Sequence, residues 1–504
     1  MDCSRCGLFL RPLAGLVLGG GLVLAFAPFE LGLLALPILA LLFHLLRDAP
    51  GAGLAAFTGY AFGLGLMGFG VFWLRISINQ FGGVSPTLGL LFTLLFIVVV
   101  AAYFAFFAWL AWFLGRTRGA VGFMLLAAPA AWLATELLRA YLFTGFPWLS
   151  VGYSQIDLPL AGYSPVFGVF GTGFVLAVSA GLLNLWRHAW ALPLLVLLWG
   201  GGYSLSLVKW GQPAGETLSV ALVQGNIPQE EKWERRMFDP TLAVYQGLSE
   251  QAPQARLVVW PETAIPAFSD RIEDDVLQPL ERRVIEQERD LLTGIVSRQP
   301  DGRYYNSMLG MGVSGRQVYH KHHLVPFGEF LPLAALLDPV LGFLDIPMSD
   351  FSSGNGDSRP LRLAGHPVGV NICYEDAFGH EVAATLPEAE FLINASNDAW
   401  FGDSLAPHQH LQIARMRAVE AGRYFLRATN TGISAIIRPN GTILQRAPQF
   451  EQALLAAGIQ PIRGATPYAL WRDLPMVLLA GLLLVGLWMR RGRGRGIPAD
   501  SYRL

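Results

Sequence analysis

The sequence predicts a multi-pass α-helical membrane region joined to an α/β domain. Of its 504 residues, 53% are hydrophobic and 14% are charged, whereas an average soluble protein has about 25% charged residues. Charged side chains are sparse up to residue 206 and frequent from Lys209 onward. Beyond that point, short β-type runs alternate with helical patterns, which is typical of an α/β fold.

The charge balance and the cysteine content exclude several classes of protein. Lys plus Arg number 36 and Asp plus Glu number 37, which excludes a basic nucleic-acid-binding protein, and the hydrophobic content excludes a disordered chain. Three cysteines in 504 residues exclude a disulfide scaffold. A membrane protein, with or without a soluble domain, remains.

Eight apolar runs are candidates for membrane-spanning helices, since a hydrocarbon core of about 30 Å needs about 20 apolar residues. The first is interpreted as a retained helix rather than a cleaved signal peptide, because further runs follow directly and no small-residue cleavage pattern stands out. We therefore predict seven spans before the α/β domain and one after it. The runs lie near 10–28, 30–46, 53–74, 86–114, 120–142, 161–186, 189–206 and 474–489.

The arginines of the short loops predict the orientation, because cytoplasmic loops carry an excess of positive charge. With the N-terminus in the cytoplasm, only Arg75 and Arg139 fall toward the outer side. The predicted parts are therefore a seven-helix region at 1–209, an outer domain at 210–470, and an eighth helix with a basic cytoplasmic tail at 471–504. The arginines that then lie on the cytoplasmic side are Arg47, Arg116, Arg118, Arg187, Arg490, Arg491, Arg493 and Arg495.

The outer domain contains seven short β-type runs and two clear helical patterns. Reactive groups in α/β folds collect just past the carboxyl ends of strands, so residues directly after these runs are the candidates for chemistry. The predicted strands lie at 218–223, 256–260, 291–296, 308–313, 368–372, 391–395 and 433–437, and the predicted helices at 275–290 and 407–423.

Three strand-end motifs carry reactive side chains: WPET at 260–263, HKHHLVPFGE at 320–329 and VNICYED at 370–376. Taken singly, they are a solvated carboxylate, a surface lysine and an inert buried thiol. Cys373 is nevertheless the only cysteine of the outer domain. A thiol becomes a nucleophile beside a cation and a base, which Lys321 and Glu262 can supply.

The order of these motifs resembles the carbon–nitrogen hydrolase (nitrilase) superfamily. It has a glutamate in WPE, a lysine before VPFGE and a cysteine in ICYED. With seven apolar helices before the domain and one after it, the whole chain is similar to the apolipoprotein N-acyltransferase family. Further matching segments are VQGNIP at 223–228, FTGFPW at 143–148 and NASNDAWFG at 394–402.

This resemblance implies an αββα sandwich and an acyl transfer in two steps. Cys373, with Glu262 as general base, would attack the sn-1 ester of a phospholipid, and Lys321 with the backbone N–H of Tyr374 would stabilise the oxyanion. The thioester would then acylate the α-amino group of the diacylglyceryl-cysteine at an apolipoprotein N-terminus. The family also implies a bacterial inner-membrane protein with a periplasmic catalytic domain and cytoplasmic termini.

Six further residues match positions that matter in the family. Glu329 would support Lys321, and Tyr374 and Glu375 would shape the pocket beside the nucleophile. Trp233, Asn306 and Trp400 match as well, although packing, a turn and a loop anchor explain them equally well.

No cofactor, metal or nucleic-acid partner is expected. The sequence has no P-loop glycine motif. A zinc site formed by His320, His322 and His323 is disfavoured, because two of them alternate along a predicted strand around Lys321. His408 and His410 are assigned to the start of a helix.

Two alternative functions and one mobile segment complete the prediction. A membrane-tethered amidase or nitrilase would keep the triad and use water as acceptor. A transporter or scaffold is disfavoured because Glu136 and Arg139 are almost the only intramembrane charges, and their spacing favours a mutual pair on one helix face. The apolar, proline-broken segment 331–351 is interpreted as an interfacial arm that admits acyl chains, with a packed loop as the alternative.

Overall fold

The computed structural model describes residues 3–81, 84–330, 350–356 and 359–493, so the predicted interfacial arm lies almost entirely outside the described residues. Two compact units are present. The first comprises Met1–Phe72, Thr93–Leu207 and Asp473–Leu504, and the second comprises Trp73–Phe92 and Val208–Arg472.

Each of the eight apolar runs contains a helix, and these helices belong to the first unit except where they fall within Trp73–Phe92. Among the described residues, four helical segments are long and apolar enough to cross a membrane: Ala52–Gly70, Pro86–Gly115, Gly119–Thr144 and Pro159–Asn184. The other four apolar helices have 10–17 residues: Phe9–Ala25, Gly32–Arg47, Ala191–Ser206 and Leu474–Arg490. The α-helices of this unit begin and end as follows: Cys3–Leu22, Ala35–Arg47, Ala52–Gly70, Pro86–Gly115, Gly119–Gly122, Ala128–Tyr141, Ser164–Asn184, Ala191–Ser206 and Leu474–Arg493.

Small residues let the helices of this unit approach closely. A Cβ atom added at Gly65 would lie 2.1 Å from the carbonyl oxygen of Leu16 on the first helix, so only glycine fits there. Close backbone approach at small residues is the usual way in which apolar helices pack where lipid replaces water.

Glu136 and Arg139 both bind the turn that follows their own helix. The guanidinium of Arg139 donates to the carbonyl oxygens of Phe146 at 2.6 Å and Trp148 at 2.5 Å, and Glu136 Oε1 accepts from the backbone N–H of Val151 at 2.7 Å. These charges therefore satisfy backbone groups of a buried turn, which is one way to make an intramembrane charge tolerable.

The second unit is built on two large β-sheets. The seven-stranded sheet has the order β14-β2-β3-β5-β6-β7 with β4 paired to β5, and the six-stranded sheet has the order β13-β12-β11-β10-β9-β8. The strands are β1 Gly211–Pro213, β2 Leu218–Gln224, β3 Leu257–Val259, β4 Ile265–Phe268, β5 Asp290–Arg298, β6 Tyr304–Gly312, β7 Gln317–His320, β8 Leu361–Leu363, β9 His366–Ile372, β10 Phe391–Ser396, β11 Phe425–Thr429, β12 Ala435–Ile437, β13 Ile443–Arg446, β14 Ala453–Ile459 and β15 Ile462–Gly464.

The two sheets face each other and carry helices on their outer faces. Inward-facing side chains such as Val259 of β3 and Ile393 of β10 form one buried cluster between the sheets. A second cluster lies outside the seven-stranded sheet and a third outside the six-stranded sheet. The predicted αββα sandwich is confirmed. The α-helices of this unit are Leu74–Phe81, Phe238–Glu250, Gln278–Glu286, Gly379–Val382, Ala406–Ala421 and Pro467–Trp471.

The predicted helix at 275–290 is too long at its C-terminal end. The α-helix ends at Glu286, Glu288 has a φ of 51°, and β5 begins at Asp290. The carboxylate of Asp290 accepts from the backbone N–H groups of Ser314 at 2.9 Å and Ala364 at 2.6 Å. These long-range bonds fix Asp290 in the sheet and override the local helical pattern.

Candidate active site

Glu262, Lys321 and Cys373 come together at the ends of strands from both sheets. Glu262 follows β3 and Lys321 follows β7 in the seven-stranded sheet, whereas Cys373 follows β9 in the six-stranded sheet. All three are buried, and Lys321 Nζ lies 3.8 Å from Glu262 Oε1. The charges of Glu262 and Lys321 both act on the thiol of Cys373. The sheet topology therefore assembles the set that the motifs predict.

Cys373 has a strained backbone conformation that its surroundings hold in place. Its φ is 52°, a left-handed conformation that costs a non-glycine residue about 1–2 kcal/mol. The side-chain amide of Asn394 donates to the Cys373 carbonyl oxygen at 3.0 Å. Such strain is common where a fold must present one side chain at a fixed angle.

Glu329 and Asn306 form a frame around Lys321. Glu329 accepts from Lys321 Nζ at 2.9 Å and from the side-chain amide of Asn306 at 3.0 Å. The same amide donates to Glu262 Oε1 at 2.7 Å, and the Asn306 carbonyl oxygen accepts from the Lys321 backbone N–H at 2.8 Å. Asn306 thus fixes both carboxylates and the lysine backbone, so it is more than a turn residue.

The electrostatics leave the resting thiol protonated beside a carboxylate and an ammonium. Burial, and then the charge of Glu262, raise the pKa of Cys373 well above its usual range. Burial opposes the charge of Lys321, but Glu329 and Glu262 outweigh it and raise the pKa of Lys321. Burial also raises the pKa of Glu262, and a carboxylate with a raised pKa is a stronger base.

Glu375 joins the turn that begins at Cys373 to the end of β7. Its carboxylate accepts from the hydroxyl of Tyr319 at 2.9 Å and from the backbone N–H groups of His322 at 2.7 Å, His323 at 3.1 Å and Ile372 at 2.6 Å. These donors come from both sides of the site. Glu375 therefore fixes the position of Cys373 relative to Lys321.

The aromatic residues of the predicted site differ in exposure and in their contacts. Tyr374 is half-buried and packs edge-on against Phe378, with ring centroids 5.1 Å apart. Trp233 is 38% exposed, and within the described residues no hydrogen bond or ring contact joins it to the triad. The Trp400 carbonyl oxygen accepts from the hydroxyl of Ser77 at 2.6 Å.

The three neighbouring histidines have separate partners. Their Nδ1 atoms lie 2.8 Å from Ser307 Oγ for His320, 3.0 Å from the Gly354 carbonyl oxygen for His322 and 2.8 Å from Glu381 Oε1 for His323. Among the described residues, no group of three or more His, Cys, Asp or Glu side chains is placed to hold a metal ion.

Lys232 is a buried cation that the sequence analysis does not identify. It is 1% exposed, and its Nζ donates to the carbonyl oxygen of Glu262 at 3.3 Å. Burial, opposed by the charge of Glu262, lowers the pKa of Lys232 to about 8. Its position directly before Trp233 is a weak signal, because lysines in charged stretches usually face water.

A buried group of four charged residues behind Cys373 is a second feature that the sequence does not reveal. Asp376, Asp398, His410 and Arg427 are each at most 1% exposed and bond to one another. His410 does lie near the start of a helix, Ala406–Ala421, as predicted. Asp376 and Asp398, the acidic residues that follow β9 and β10, are the sequence signal that could have indicated the partners of His410.

The αββα sandwich with a strand-end cysteine, lysine and glutamate, in a chain that also carries long apolar helices, defines a membrane-associated carbon–nitrogen hydrolase. Residues 219–467 match the carbon-nitrogen hydrolase family model, and residues 18–182 match the model of the apolipoprotein N-acyltransferase N-terminal domain. The chain belongs to the apolipoprotein N-acyltransferase family.

Two curated relatives carry that family name. The apolipoprotein N-acyltransferase of Methylococcus capsulatus is 46% identical over 494 residues, which cover 95% of this chain and 96% of the relative. That of Nitrosomonas europaea is 43% identical over 484 residues, which cover 95% and 97%. Among solved structures, the carbon-nitrogen hydrolase of Helicobacter pylori is 16% identical with a TM-score of 0.38, covering 57% of this chain and 97% of that one.

Proposed function

We propose that this protein transfers an acyl chain from the sn-1 position of a membrane phospholipid to the α-amino group of the N-terminal diacylglyceryl-cysteine of apolipoproteins. The family name of its relatives gives the acceptor class and the reaction type. One observation carries the mechanism. The buried thiol of Cys373 lies beside a carboxylate and an ammonium, with Lys321 Nζ 3.8 Å from Glu262 Oε1, and a base and a cation beside a thiol are what activate it as a nucleophile.

In the first step, Glu262 takes the proton of the Cys373 thiol as the sulfur attacks the ester carbonyl carbon. Lys321 and the backbone N–H of Tyr374 stabilise the oxyanion, and such preorganised donors are typically worth about 3–4 kcal/mol each. The tetrahedral intermediate collapses and the C–O bond breaks. Glu262 returns its proton to the leaving oxygen, so lysophospholipid departs and the acyl chain remains on sulfur as a thioester.

In the second step, the neutral α-amino group of the acceptor attacks the thioester carbonyl carbon. Glu262 takes a proton from the attacking nitrogen, and the same oxyanion donors stabilise the second intermediate. The C–S bond breaks, Glu262 returns the proton to sulfur, and the amide product leaves. The nearby ammonium of Lys321 disfavours a charged amine at this position, which favours the neutral, nucleophilic form.

The remaining assignments follow from the same reaction. Glu329, Asn306 and Glu375 position the triad through the bonds described above. Tyr374, Trp233 and Trp400 contact substrate at the margins of the site.

Both substrates are lipids held in a bilayer, and the membrane region brings the catalytic domain to them. We assign residues 1–209 to seven membrane spans, 210–470 to a periplasmic domain, and 471–504 to an eighth span and cytoplasmic tail. The eight apolar helices and the distribution of loop arginines support this topology in a bacterial inner membrane.

The proposal is tested by weighing the intact protein after incubation with phospholipid in detergent. An added acyl mass is expected, absent in the Cys373→Ala variant and removed on addition of a diacylated lipopeptide, which gains the same mass. Cys3→Ser/Cys6→Ser is the matched control and should be acylated like the parent. An adduct discharged only by water would instead indicate a membrane-tethered hydrolase, and no adduct would contradict both mechanisms.

Replacing Lys232 by Met is expected to move the acid limb of the pH–rate profile for Cys373 acylation upward by up to about one pH unit. The charge of Lys232 lowers the pKa of Glu262, so its removal lets that pKa rise and protonates the base at a higher pH. Acylation rates between about pH 5 and about pH 9 measure the shift. Lys232→Arg keeps the charge and should keep the limb, whereas an unmoved limb in Lys232→Met would separate Lys232 from Glu262.

A further inference from the structure

The four buried charges behind Cys373 converge on it from four elements of one sheet and its helix. Asp376 lies in the turn that begins with Cys373, and Asp398 follows β10. His410 lies on the helix Ala406–Ala421, and Arg427 lies on β11. We call these four residues the charge cluster.

Hydrogen bonds determine the protonation state of His410. Its Nε2 atom lies 2.8 Å from Asp376 Oδ1, and its Nδ1 atom lies 3.1 Å from Asp398 Oδ1. Carboxylates only accept, so both ring nitrogens must carry protons. His410 is therefore an imidazolium, and the carboxylates of Asp376 and Asp398 outweigh burial and the charge of Arg427 to raise its pKa.

Arg427 completes the balance of charge. It donates to Asp376 Oδ2 at 3.3 Å and to Asp398 Oδ2 at 2.8 Å, so each carboxylate binds both cations. Two buried cations and two buried anions then sum to zero. Removing one partner of such an arrangement leaves an uncompensated charge inside the protein.

The charge cluster contacts the nucleophile in two ways. His410 Nε2 lies 3.3 Å from the Cys373 carbonyl oxygen. Arg427 donates to Asn394 Oδ1 at 2.6 Å, and the amide of Asn394 donates to the same carbonyl oxygen of Cys373. The charges of Asp398 and Arg427 also act on the Cys373 thiol, in opposite directions.

We propose that His410 is a positioning residue, which holds the carbonyl of Cys373 and keeps the net charge behind the thiol at zero. This inference deepens the proposed function, because it rests on Cys373 being the nucleophile. An additional negative charge behind Cys373 would disfavour the thiolate that forms during attack, and an additional positive charge would favour it.

The charged groups that face Cys373 are Glu262 and Lys321 from the seven-stranded sheet, and Asp398 and Arg427 from the six-stranded sheet. Those that face His410 are Asp376, Asp398 and Arg427. The variant His410→Gln gives the charge cluster a net charge of −1, because it removes one cation. Asp398→Asn gives +1, and the double variant returns to zero.

The test measures how fast iodoacetamide alkylates Cys373 at a fixed pH near 8, in a Cys3→Ser/Cys6→Ser background where Cys373 is the remaining thiol. A shift of about one pKa unit changes the thiolate fraction about tenfold. We expect His410→Gln to slow alkylation by about that factor, Asp398→Asn to accelerate it, and the double variant to return to within about twofold of the parent.

A purely structural role predicts a different order, in which both single variants open the buried site and are alkylated faster than the parent, with the double variant fastest, and that order would overturn the proposal. If His410→Gln does not fold, the other two variants decide: an accelerated Asp398→Asn and a parental double variant support it, and any other pattern contradicts it. Alkylation needs no acyl donor. A protein that follows the expected order but never forms an acyl adduct would therefore contradict the proposed function separately.

Discussion

Replacing Glu262 by Gln is expected to abolish measurable acylation of Cys373 while the protein stays folded. Burial keeps the resting thiol protonated, so sulfur cannot attack until a base removes the proton. The glutamine retains an oxygen that can accept from the Asn306 amide, as Glu262 does at 2.7 Å. Loss of a positioned general base typically lowers the rate about 10²- to 10⁴-fold, and intact-mass kinetics measure it.

The matched control is Glu286→Gln, which removes an exposed carboxylate from a helix of the same domain and should leave acylation unchanged. Any residual activity of Glu262→Gln should also lack the acid limb of the parent profile, because that limb reports protonation of Glu262. A Glu262→Gln variant that is acylated at the parental rate would mean that another group deprotonates Cys373.

Glu262 and Cys373 are predictable from the sequence as candidate site residues because each closely follows a largely buried strand, β3 or β9, whereas β7 before Lys321 is only partly buried. The apolar runs before Glu262 and Cys373 are short, continuous and bounded by polar residues, and parallel strands bring their carboxyl ends to one edge. Once the αββα topology is known, no further long-range contact is needed to predict that the three motifs, which lie on two sheets, meet.

The charge cluster could not be predicted in the same way, because its charged residues lie in segments where the local sequence pattern does not predict buried charges. Arg427 interrupts the apolar run Phe425–Thr429, so the hydrophobic pattern does not predict a strand there. The segment is nevertheless strand β11, and all of its residues are buried. The arginine is tolerated there because Asp376 and Asp398 bind it, and both are distant in sequence. Only the folded topology supplies such partners.

The segment 73–92 is a further case in which tertiary contacts decide. The sequence assigns its two ends to the apolar runs at 53–74 and 86–114, whereas its contacts group it with 208–472. Trp73 Nε1 donates to Gln409 Oε1 at 3.2 Å, and the Trp73 ring packs edge-on against Phe401, with centroids 4.8 Å apart. A segment that begins with a tryptophan and an arginine is also typical of a membrane interface. Hydropathy alone therefore does not predict which part of the chain this segment packs against.

Replacing Lys321 by Met is expected to inactivate the protein and to destabilise its catalytic domain. Lys321 Nζ lies 2.8 Å from Glu329 Oε2 and 3.8 Å from Glu262 Oε1, and its side chain is 1% exposed. Removing it leaves the buried carboxylate of Glu262 and the half-buried carboxylate of Glu329 without this cation, and breaking a buried ion pair typically costs about 3–5 kcal/mol. A fall in Tm on the order of 10 °C follows for a domain of this size.

The loss of stability in Lys321→Met should depend on pH, with a sign fixed by the carboxylates. Burial already raises the pKa of Glu262 in the folded state, and loss of the cation raises it further above its unfolded value of about 4.3. At pH values between the unfolded-state pKa and the folded-state pKa, the folded protein binds more protons than the unfolded chain. The free energy of unfolding therefore falls as pH rises through this range. The deficit in Tm should therefore be smaller near pH 5 than near pH 8, as thermal unfolding in detergent can measure.

The double variant Lys321→Met/Glu329→Gln separates lost charge balance from lost packing. It removes one of the two uncompensated carboxylates and keeps an acceptor for the Asn306 amide, which Glu329 binds at 3.0 Å. If buried charge causes the instability, the double variant should be more stable than Lys321→Met near pH 8. A deficit that is equal at both pH values, and unchanged by Glu329→Gln, would instead mean that the lysine stem stabilises the domain through its apolar contacts.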